Sequence, residues 1–425
     1  MKIVIIGLGT AGFAAALAIK KKDRKAGITF IDNKPYDLLH CCGLPYALEG
    51  KLKIGNLKHG IGAERMDIDV ISKAEVEDVD AKNKKITYNK NNKNEDISYD
   101  KLIITTGASP FMPIEGAKGN VFTLSSAEDA EAIEKAIKNA KTAAIIGAGA
   151  IGLETAYALN KRGLKVVVIE MLSSLFPRAI DKDMSEILEE YLEKQGIRLL
   201  LNKKIEKIGK NKLILKNQQI EADLIIAAAG VKPNIELAKK AGIKTEKGIV
   251  VNDKLECAKD IYAAGDCIQT KSLINQDPYL AQTATTAYKQ GTIAGINSVG
   301  GNEAYKGALS TFVSVIGDLE VAATGFNSHF AKDAVSSKAK SKNKPEWFPG
   351  AADLTVKIIA DKKGKILGAQ AVGKDAAPRI NIISTAIKSD MSLKELSEVE
   401  LAYCPAVSQT YDVLQQAADL LIRRL

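Results

Sequence analysis

A glycine-rich turn is written twice in this chain, and few folds accommodate it. The run K-I-V-I-I-G-L-G-T-A-G at residues 2–12 returns as A-A-I-I-G-A-G-A-I-G at residues 143–152. In each copy a continuous apolar strand meets three glycines, Gly7, Gly9 and Gly12 in the first and Gly147, Gly149 and Gly152 in the second. A helix-forming stretch follows, reaching residue 22 and residue 162, and a second apolar strand then ends in an acid, Asp32 after residues 28–31 and Glu170 after residues 166–169. Each is a βαβ unit with its acid at the roughly 20-residue offset of a dinucleotide fingerprint. Missing side chains let a pyrophosphate approach the backbone N–H groups, the helix N-terminus favours its charge, and the acid accepts from the ribose hydroxyls. One such turn is weak evidence. Two, each in its strand, turn and helix, predict an α/β chain with two Rossmann-like dinucleotide domains.

The remaining segments divide around these units. At 425 residues the chain has room for two or three domains. Residues 75–88 alternate like hairpin strands, and the Asn- and Lys-rich run at 82–96 reads as a solvated hairpin turn. From residue 305 the pattern changes to β-rich stretches at 309–316, 354–359 and 366–372, then to helices at 376–388 and 407–425, which predicts a separate α+β domain. The basic stretch 332–344 inside it reads as an exposed loop. The expected organisation is a discontinuous first domain at 1–112 and 241–304, a second nucleotide domain at 113–240, and a third domain at 305–425.

Composition narrows the class. The formal charge of +9, from 60 Lys and Arg against 51 Asp and Glu, favours small anions mildly and gives no reason to expect nucleic acid. Five cysteines, Cys41, Cys42, Cys257, Cys267 and Cys404, are too few for a disulfide scaffold, and no C-x-x-C pair suggests a metal site. A reducing cytoplasm is the expected setting. The apolar run at 3–19 imitates a signal peptide, but its glycines at fixed offsets argue for a buried strand and helix, and no membrane span is expected.

Two segments point to a flavin. L-I-I-T-T-G-A at 102–108 resembles the strand and T-G turn that return the chain to the first domain in flavoprotein reductases, and I-Y-A-A-G-D-C at 261–267 resembles their flavin-ribityl motif. A third segment, H-C-C-G-L-P-Y at 40–46, places a cysteine before G-L-P-Y after the second strand. Together these resemble the pyridine nucleotide-disulfide oxidoreductases, in the single-cysteine branch that holds NADH oxidases, coenzyme A disulfide reductases and persulfide reductases. The resemblance implies two Rossmann-like domains of three-layer ββα build, binding FAD and NAD, plus a C-terminal α+β dimerisation domain. It implies FAD contacts at Gly7, Gly9, Gly12, Asp32, Asn33, Cys42, Val76, Thr106, Gly107, Asp266 and Ala284, and nucleotide contacts at Gly147, Gly149, Gly152, Glu170 and Gly230. Glu170 repels a 2′-phosphate, which favours NADH, while Lys165 and Arg178 keep NADPH as the alternative.

The reactive group is expected to be Cys42. A thiolate is the nucleophile, a helix N-terminus lowers a cysteine pKa, and Pro45 suits the first turn of such a helix. Cys41, Cys257 and Cys267 read as small hydrophobes. There is no C-x-x-x-x-C pair, which excludes the two-cysteine mechanism of the glutathione and lipoamide reductases. E-W-F-P-G-A at 346–351 and A-Y-C-P-A-V-S at 402–408 match segments that the family's partner subunit sets over the active cysteine. The resemblance then makes Tyr403 the hydroxyl that stabilises a departing thiolate, with Cys404 a candidate resolving thiol. Coenzyme A disulfide reductases carry a second tyrosine where this chain has Phe348, and polar contacts where it has Ala14, Ala18, Leu38 and Cys41. These departures argue against coenzyme A, whose phosphates Lys21 and Arg65 would meet; Thr10, where peroxidases carry histidine, argues against peroxide. Three functions stay open: an NADH-dependent reductase of a small disulfide, persulfide or polysulfide; an NADH oxidase reducing O2 through a Cys42 sulfenic acid; and an electron-transfer or redox-sensing flavoprotein.

Overall fold

The computed structural model describes residues 1–112 and 120–425, and the expected domain boundary at residue 113 lies outside the described residues. The chain divides into two compact units, one of Met1–Gly43, Lys53–Ser109 and Val231–Ala308, the other of Leu44–Leu52, Pro110–Gly230 and Leu309–Leu425.

The first unit is built on a six-stranded sheet in the order Glu256–Ala258, Ile261–Ala263, Lys101–Ile104, Lys2–Ile6, Gly27–Asp32, Ile68–Ser72. Its strands run parallel except at the Glu256–Ala258 hairpin. Ile3, Val4 and Ile5 are wholly buried, as a central strand covered on both faces requires. The helices Thr10–Lys22 and Ala284–Ser298 form one layer and meet where Gly291 and Gly295 face Ala11 and Ala15. A Cβ at Gly291 would stand 2.1 Å from the Ala11 carbonyl oxygen, and one at Gly295 would stand 2.4 Å from that of Ala15, so neither position admits a side chain at this spacing.

The other layer is a three-stranded antiparallel sheet, Ala74–Asp80, Lys85–Lys90 and Lys93–Ser98. This corrects the reading of the whole run 82–96 as a hairpin turn: most of it is the strands Lys85–Lys90 and Lys93–Ser98. Ile86 and Tyr88 alternate into the core, and the chain reverses at Asn91 and Asn92, both in the left-handed region with φ of 53° and 61°. Paired positive-φ asparagines make the two-residue hairpin turn that matches strand twist. The exposed Lys and Asn positions masked that alternation in the sequence.

In the second unit a five-stranded parallel sheet, ordered Val121–Phe122, Leu224–Ala227, Thr142–Ile146, Lys165–Ile169, Arg198–Leu200, packs on the meander Ile205–Gly209, Lys212–Leu215, Gln218–Glu221. Ala144, Ile146, Val167 and Ile169 fill that interface from one side, and Ile208, Leu213, Leu215 and Ile220 from the other. The same unit holds a five-stranded antiparallel sheet in the order Phe312–Ile316, Leu319–Gly325, Ile366–Gly373, Asp353–Ala360, Val335–Lys342. It packs on helices Ala376–Lys388, Leu393–Ser397 and Val413–Ile422. The basic stretch read as a loop at 332–344 is largely the edge strand Val335–Lys342, paired along its length with Asp353–Ala360. Ser337 and Ala339 point inward while Lys338 and Lys340 face solvent, an arrangement that blunts an open edge. The last helix begins at Val413 rather than near 407, because the Asp412 side chain caps it by accepting from the Leu414 N–H.

Candidate active site

The two glycine turns repeat each other down to their hydrogen bonds. In the first, Asp32 accepts from the N–H of Leu8, inside the turn, and from the N–H of Lys34 two residues on at 2.8 Å. In the second, Glu170 accepts from Ala148 N–H at 2.9 Å and from Leu172 N–H at 2.8 Å. Each acid therefore ties its own glycine turn to the end of the next strand before any ligand is considered. The glycines share out the work in the same way. Gly7 and Gly147 have φ of +99° and +102°, and a Cβ there would stand 2.3 Å from the Thr105 oxygen or 2.4 Å from the Ala228 oxygen. A Cβ at Gly12 or Gly152 would stand 2.2 Å or 2.1 Å from the carbonyl oxygen of Gly7 or Gly147. Around Gly9 and Gly149 a Cβ would meet nothing within 4 Å. The open space at the middle glycine, directly before a helix N-terminus, is where a pyrophosphate fits.

The other residues expected at the flavin are held by contacts within the first unit. Thr106 and Gly107 follow the strand Lys101–Ile104 and are held by Asn234: the Thr106 hydroxyl donates to the Asn234 carbonyl at 2.8 Å, the Asn234 amide donates back to the Thr106 carbonyl at 2.8 Å, and the Asn234 N–H donates to Gly107 at 2.9 Å. Val76 lies in the strand Ala74–Asp80, half-buried against the core. Ala284 opens the helix Ala284–Ser298, capped by the Thr283 hydroxyl. Gln290 on that helix accepts from the Gly265 N–H at 2.9 Å and so fixes the segment carrying Asp266. Burial alone pushes the Asp266 carboxyl up to about 6. A carboxyl raised by burial, with no hydrogen bond offsetting it, is suited to receive hydroxyl donors from a bound ligand.

Cys41 and Cys42 occupy a 3₁₀ turn, Cys41–Gly43, after the short hairpin of Leu38–Leu39 with Lys58–His59. Backbone bonds from His40 N–H to the Leu57 carbonyl at 3.0 Å and from Gly43 N–H to the His40 carbonyl at 2.9 Å hold it. Both cysteines retain exposed surface. Desolvation of its sulfur and then the neighbouring Cys42 raise the Cys41 thiol, while Lys34 opposes them and Asp266 adds to them. Cys42, Lys34 and Asp266 thus each lie within electrostatic reach of Cys41. The helix Leu44–Glu49 follows, with Pro45 in its first turn. Burial pushes the Cys267 thiol up to about 11 and the Cys257 thiol up to about 12, which leaves both inert. Lys21, at the end of the helix Thr10–Lys22, and Arg65, in the turn Ala63–Met66, are exposed, and Asn33 is exposed beside Asp32.

In the second unit Gly230, at φ +104°, accepts from the Phe111 N–H at 2.8 Å. The segment leading to Phe348 is held by the one that follows Tyr403 and Cys404. Gln409 donates to the Lys342 and Lys344 carbonyls, and Arg379 bridges the Asn343 carbonyl and Asp412 at 3.2 and 2.6 Å. Lys344 lies over the Phe348 ring at 4.9 Å, and Trp347 and Tyr403 are 73% and 48% exposed. Among the described residues no group of three His, Cys, Asp or Glu side chains could hold a metal ion, and no helix is long and apolar enough to cross a membrane.

Residues 1–291 match the pyridine nucleotide-disulphide oxidoreductase family, and residues 311–414 match that family's dimerisation domain. This chain belongs to that family. It is 39% identical over 446 residues to an NADH oxidase of Methanocaldococcus jannaschii, covering 100% of this chain and 99% of the relative. It is 32% identical over 439 residues to a CoA-dependent NAD(P)H sulfur oxidoreductase of Pyrococcus furiosus, covering 99% of each. The solved NAD-dependent persulfide reductase from A. fulgidus superposes with a TM-score of 0.97 at 33% identity, over 100% of this chain and 83% of that one. The chain is accordingly an oxidoreductase with the α/β fold of its family.

Several residues that build this oxidoreductase's site escaped the sequence. Asn234, Gln290, Gln409 and Arg379 each act over a long sequence separation and carry no local signature. The only available sign was a polar residue inside an apolar or glycine-rich stretch, as with Gln290 one position before Gly291.

Proposed function

We propose that this oxidoreductase binds FAD in its first unit and NADH in its second, and uses Cys42 to reduce a small disulfide, persulfide or polysulfide. The observation that carries the reading is the gathering of Cys42, Cys41, Lys34 and Asp266 in the unit whose glycine turn has room for a pyrophosphate. Asp266 supports the flavin assignment through its desolvated carboxyl, which would accept from ribityl hydroxyls, and Gly9 through the open space for phosphate. A bound flavin would supply a two-electron relay between NADH and the cysteine. Glu170 favours NADH over NADPH, because both carboxylate oxygens are committed to the turn and a 2′-phosphate would face their charge.

Cys42 Sγ, as thiolate, attacks the outer sulfur, the S–S bond breaks, and a thiolate or sulfide leaves with the bond's electron pair. The mixed disulfide or persulfide left on Cys42 takes up two electrons and releases its second sulfur, which restores the thiolate. Tyr403, reaching over from the second subunit of a homodimer, protonates the leaving group; Phe348 lines the same approach, with Lys21 and Arg65 exposed for an anionic substrate tail. In an alternative to direct reduction, Cys404 would attack the mixed disulfide, release the second product thiol and leave a Cys42–Cys404 disulfide to take up the two electrons. The small number of cysteines supports a cytoplasmic setting.

A second reading, reduction of O2 through a Cys42 sulfenic acid, is favoured by the 39% identity to an NADH oxidase. Anaerobic stopped-flow of the reduced enzyme separates the two. Rapid reoxidation by disulfide or sulfane sulfur with slow reoxidation by O2 is expected. Cys42→Ser should abolish sulfur-dependent turnover by at least about a thousandfold while the protein stays yellow. A Cys42→Ser enzyme that still turns over sulfur substrates would overthrow the assignment.

A further inference from the structure

The loop at residues 171–181 follows Glu170 directly and borders the second glycine turn. Phe176, in its middle, donates its N–H to the carbonyl of Ala148, between Gly147 and Gly149, at 2.9 Å. It does so in a costly conformation. Its φ is +45°, a region that bulky side chains rarely adopt, and it precedes Pro177, which restricts it further. Such a conformation persists only where the surroundings impose it.

Those surroundings come from the C-terminal part of the same unit. The Phe176 ring stacks on Phe312 at 5.7 Å between centroids. At the far end of the loop, the Asp181 N–H donates to Gln370 Oε1 at 2.7 Å, and Ser328 donates to the Asp181 carboxylate through its N–H and its hydroxyl at 2.9 and 2.6 Å. Lys357, buried in the strand Asp353–Ala360, reaches Asp181 and Asp183 at 2.8 Å each. Gln370 is wholly buried and pairs with Lys357 across the sheet, and its Oε1 is committed to the loop while its Nε2 has no partner among the described residues.

We infer that Lys357, Gln370 and Phe312 are positioning residues for the dinucleotide: they hold residues 171–181 in the shape that presents Glu170 and the Ala148 turn to NADH. Nucleotide affinity is thereby tied to the integrity of the domain that the family uses for dimerisation. The electrostatics agree. Against the opposing pull of desolvation, hydrogen bonds from Lys357 hold the Asp181 and Asp183 carboxyls below the usual range, and both aspartates hold Lys357 above its own.

The inference rests on the second unit being the NADH site, so its test reads the loop and the nucleotide separately. Holoenzyme carrying Lys357→Met is titrated calorimetrically with NAD+, and hydrogen exchange is followed in the peptide spanning 172–181. The variant should bind NAD+ about tenfold more weakly and exchange the Phe176 and Asp181 amides at least about tenfold faster. Dithionite-reduced variant should be reoxidised by disulfide at a rate within about twofold of the parent enzyme, because that half-reaction needs no nucleotide. Lys357→Arg, which keeps the cation, should restore both affinity and protection. If Lys357→Met does not fold, Phe312→Leu carries the same two measurements. Parental NAD+ affinity and parental exchange in a folded variant would overturn the inference, as would equal losses in both half-reactions. Should the parent enzyme itself fail to bind NAD+, the functional reading falls, and the exchange data still decide whether these residues hold the loop.

Discussion

Gly7 and Gly9 stand two positions apart and answer to different constraints. Gly7 is needed by the polypeptide itself, since its φ of +99° and the Thr105 oxygen 2.3 Å from a would-be Cβ leave no place for a side chain. Gly9 is extended and faces open space, so nothing within the fold forbids alanine there. Gly7→Ala should therefore destabilise the protein by about 3 kcal/mol or more whether or not flavin is bound. Gly9→Ala should leave flavin-free stability within about 0.5 kcal/mol of the parent yet weaken FAD retention by about tenfold or more. Thermal melts of the flavin-free proteins, with flavin absorbance after gel filtration, distinguish the two. A Gly9→Ala protein that keeps its full colour would remove the pyrophosphate from this turn. The cysteines divide by environment in the same manner: burial disables Cys257 and Cys267, whereas Cys41, Cys42 and Cys404 keep exposed surface.

The helix Ala150–Lys161 joins the second glycine turn to the antiparallel sheet through one carboxyl. Glu154 accepts from the Ser314 hydroxyl at 2.6 Å and from the Val315 N–H, yet desolvation outweighs both and lifts its pKa from 4.5 to about 6. A folded-state value above the unfolded one means that the native protein holds this proton more tightly. The associated stability is fully present below pH 4.5 and is lost as pH rises through about 6. Glu154→Gln keeps an oxygen for Ser314 and removes the titration. The variant should match the parent below pH 4.5 and exceed it by at most about 2 kcal/mol above pH 6.5. Urea unfolding at the two pH values measures this. Equal gains at both would show that the carboxyl does not titrate in this range.

At the scale of the whole molecule, the C-terminal domain leaves several large apolar side chains exposed. Trp347 is the single tryptophan of the chain and is 73% exposed, with Tyr403, Val407 and Tyr411 also exposed at 48%, 62% and 49%. Large apolar and aromatic side chains exposed on one domain suit an interaction surface, and here that domain matches the family's dimerisation domain. In a homodimer closed over this face, tryptophan emission should be blue-shifted and shielded from iodide at micromolar concentration. It should move to the red as the protein is diluted below the dimer dissociation constant. A fully water-exposed spectrum from a species that sediments as a dimer would place the contact elsewhere.

The doubled glycine turn, the strands beside it and the terminal acids Asp32 and Glu170 were legible in the chain itself, because spacing along the polymer is what defines a βαβ unit. The change near residue 305 to β-rich stretches followed by helices belonged to the same kind of information, as did a cysteine ahead of G-L-P-Y. The run 82–96, read wholly as a hairpin turn, and 332–344, read as a loop, both hold strands whose few buried positions are outnumbered by exposed or half-exposed polar ones. Tertiary structure alone decided that Asp32 and Glu170 first brace their own turns, that Asn234 clamps Thr106 and Gly107, and that Lys357 reaches Asp181. Each of those depends on which groups the folded chain brings within 3 Å and shields from water, and no local pattern of residues encodes either.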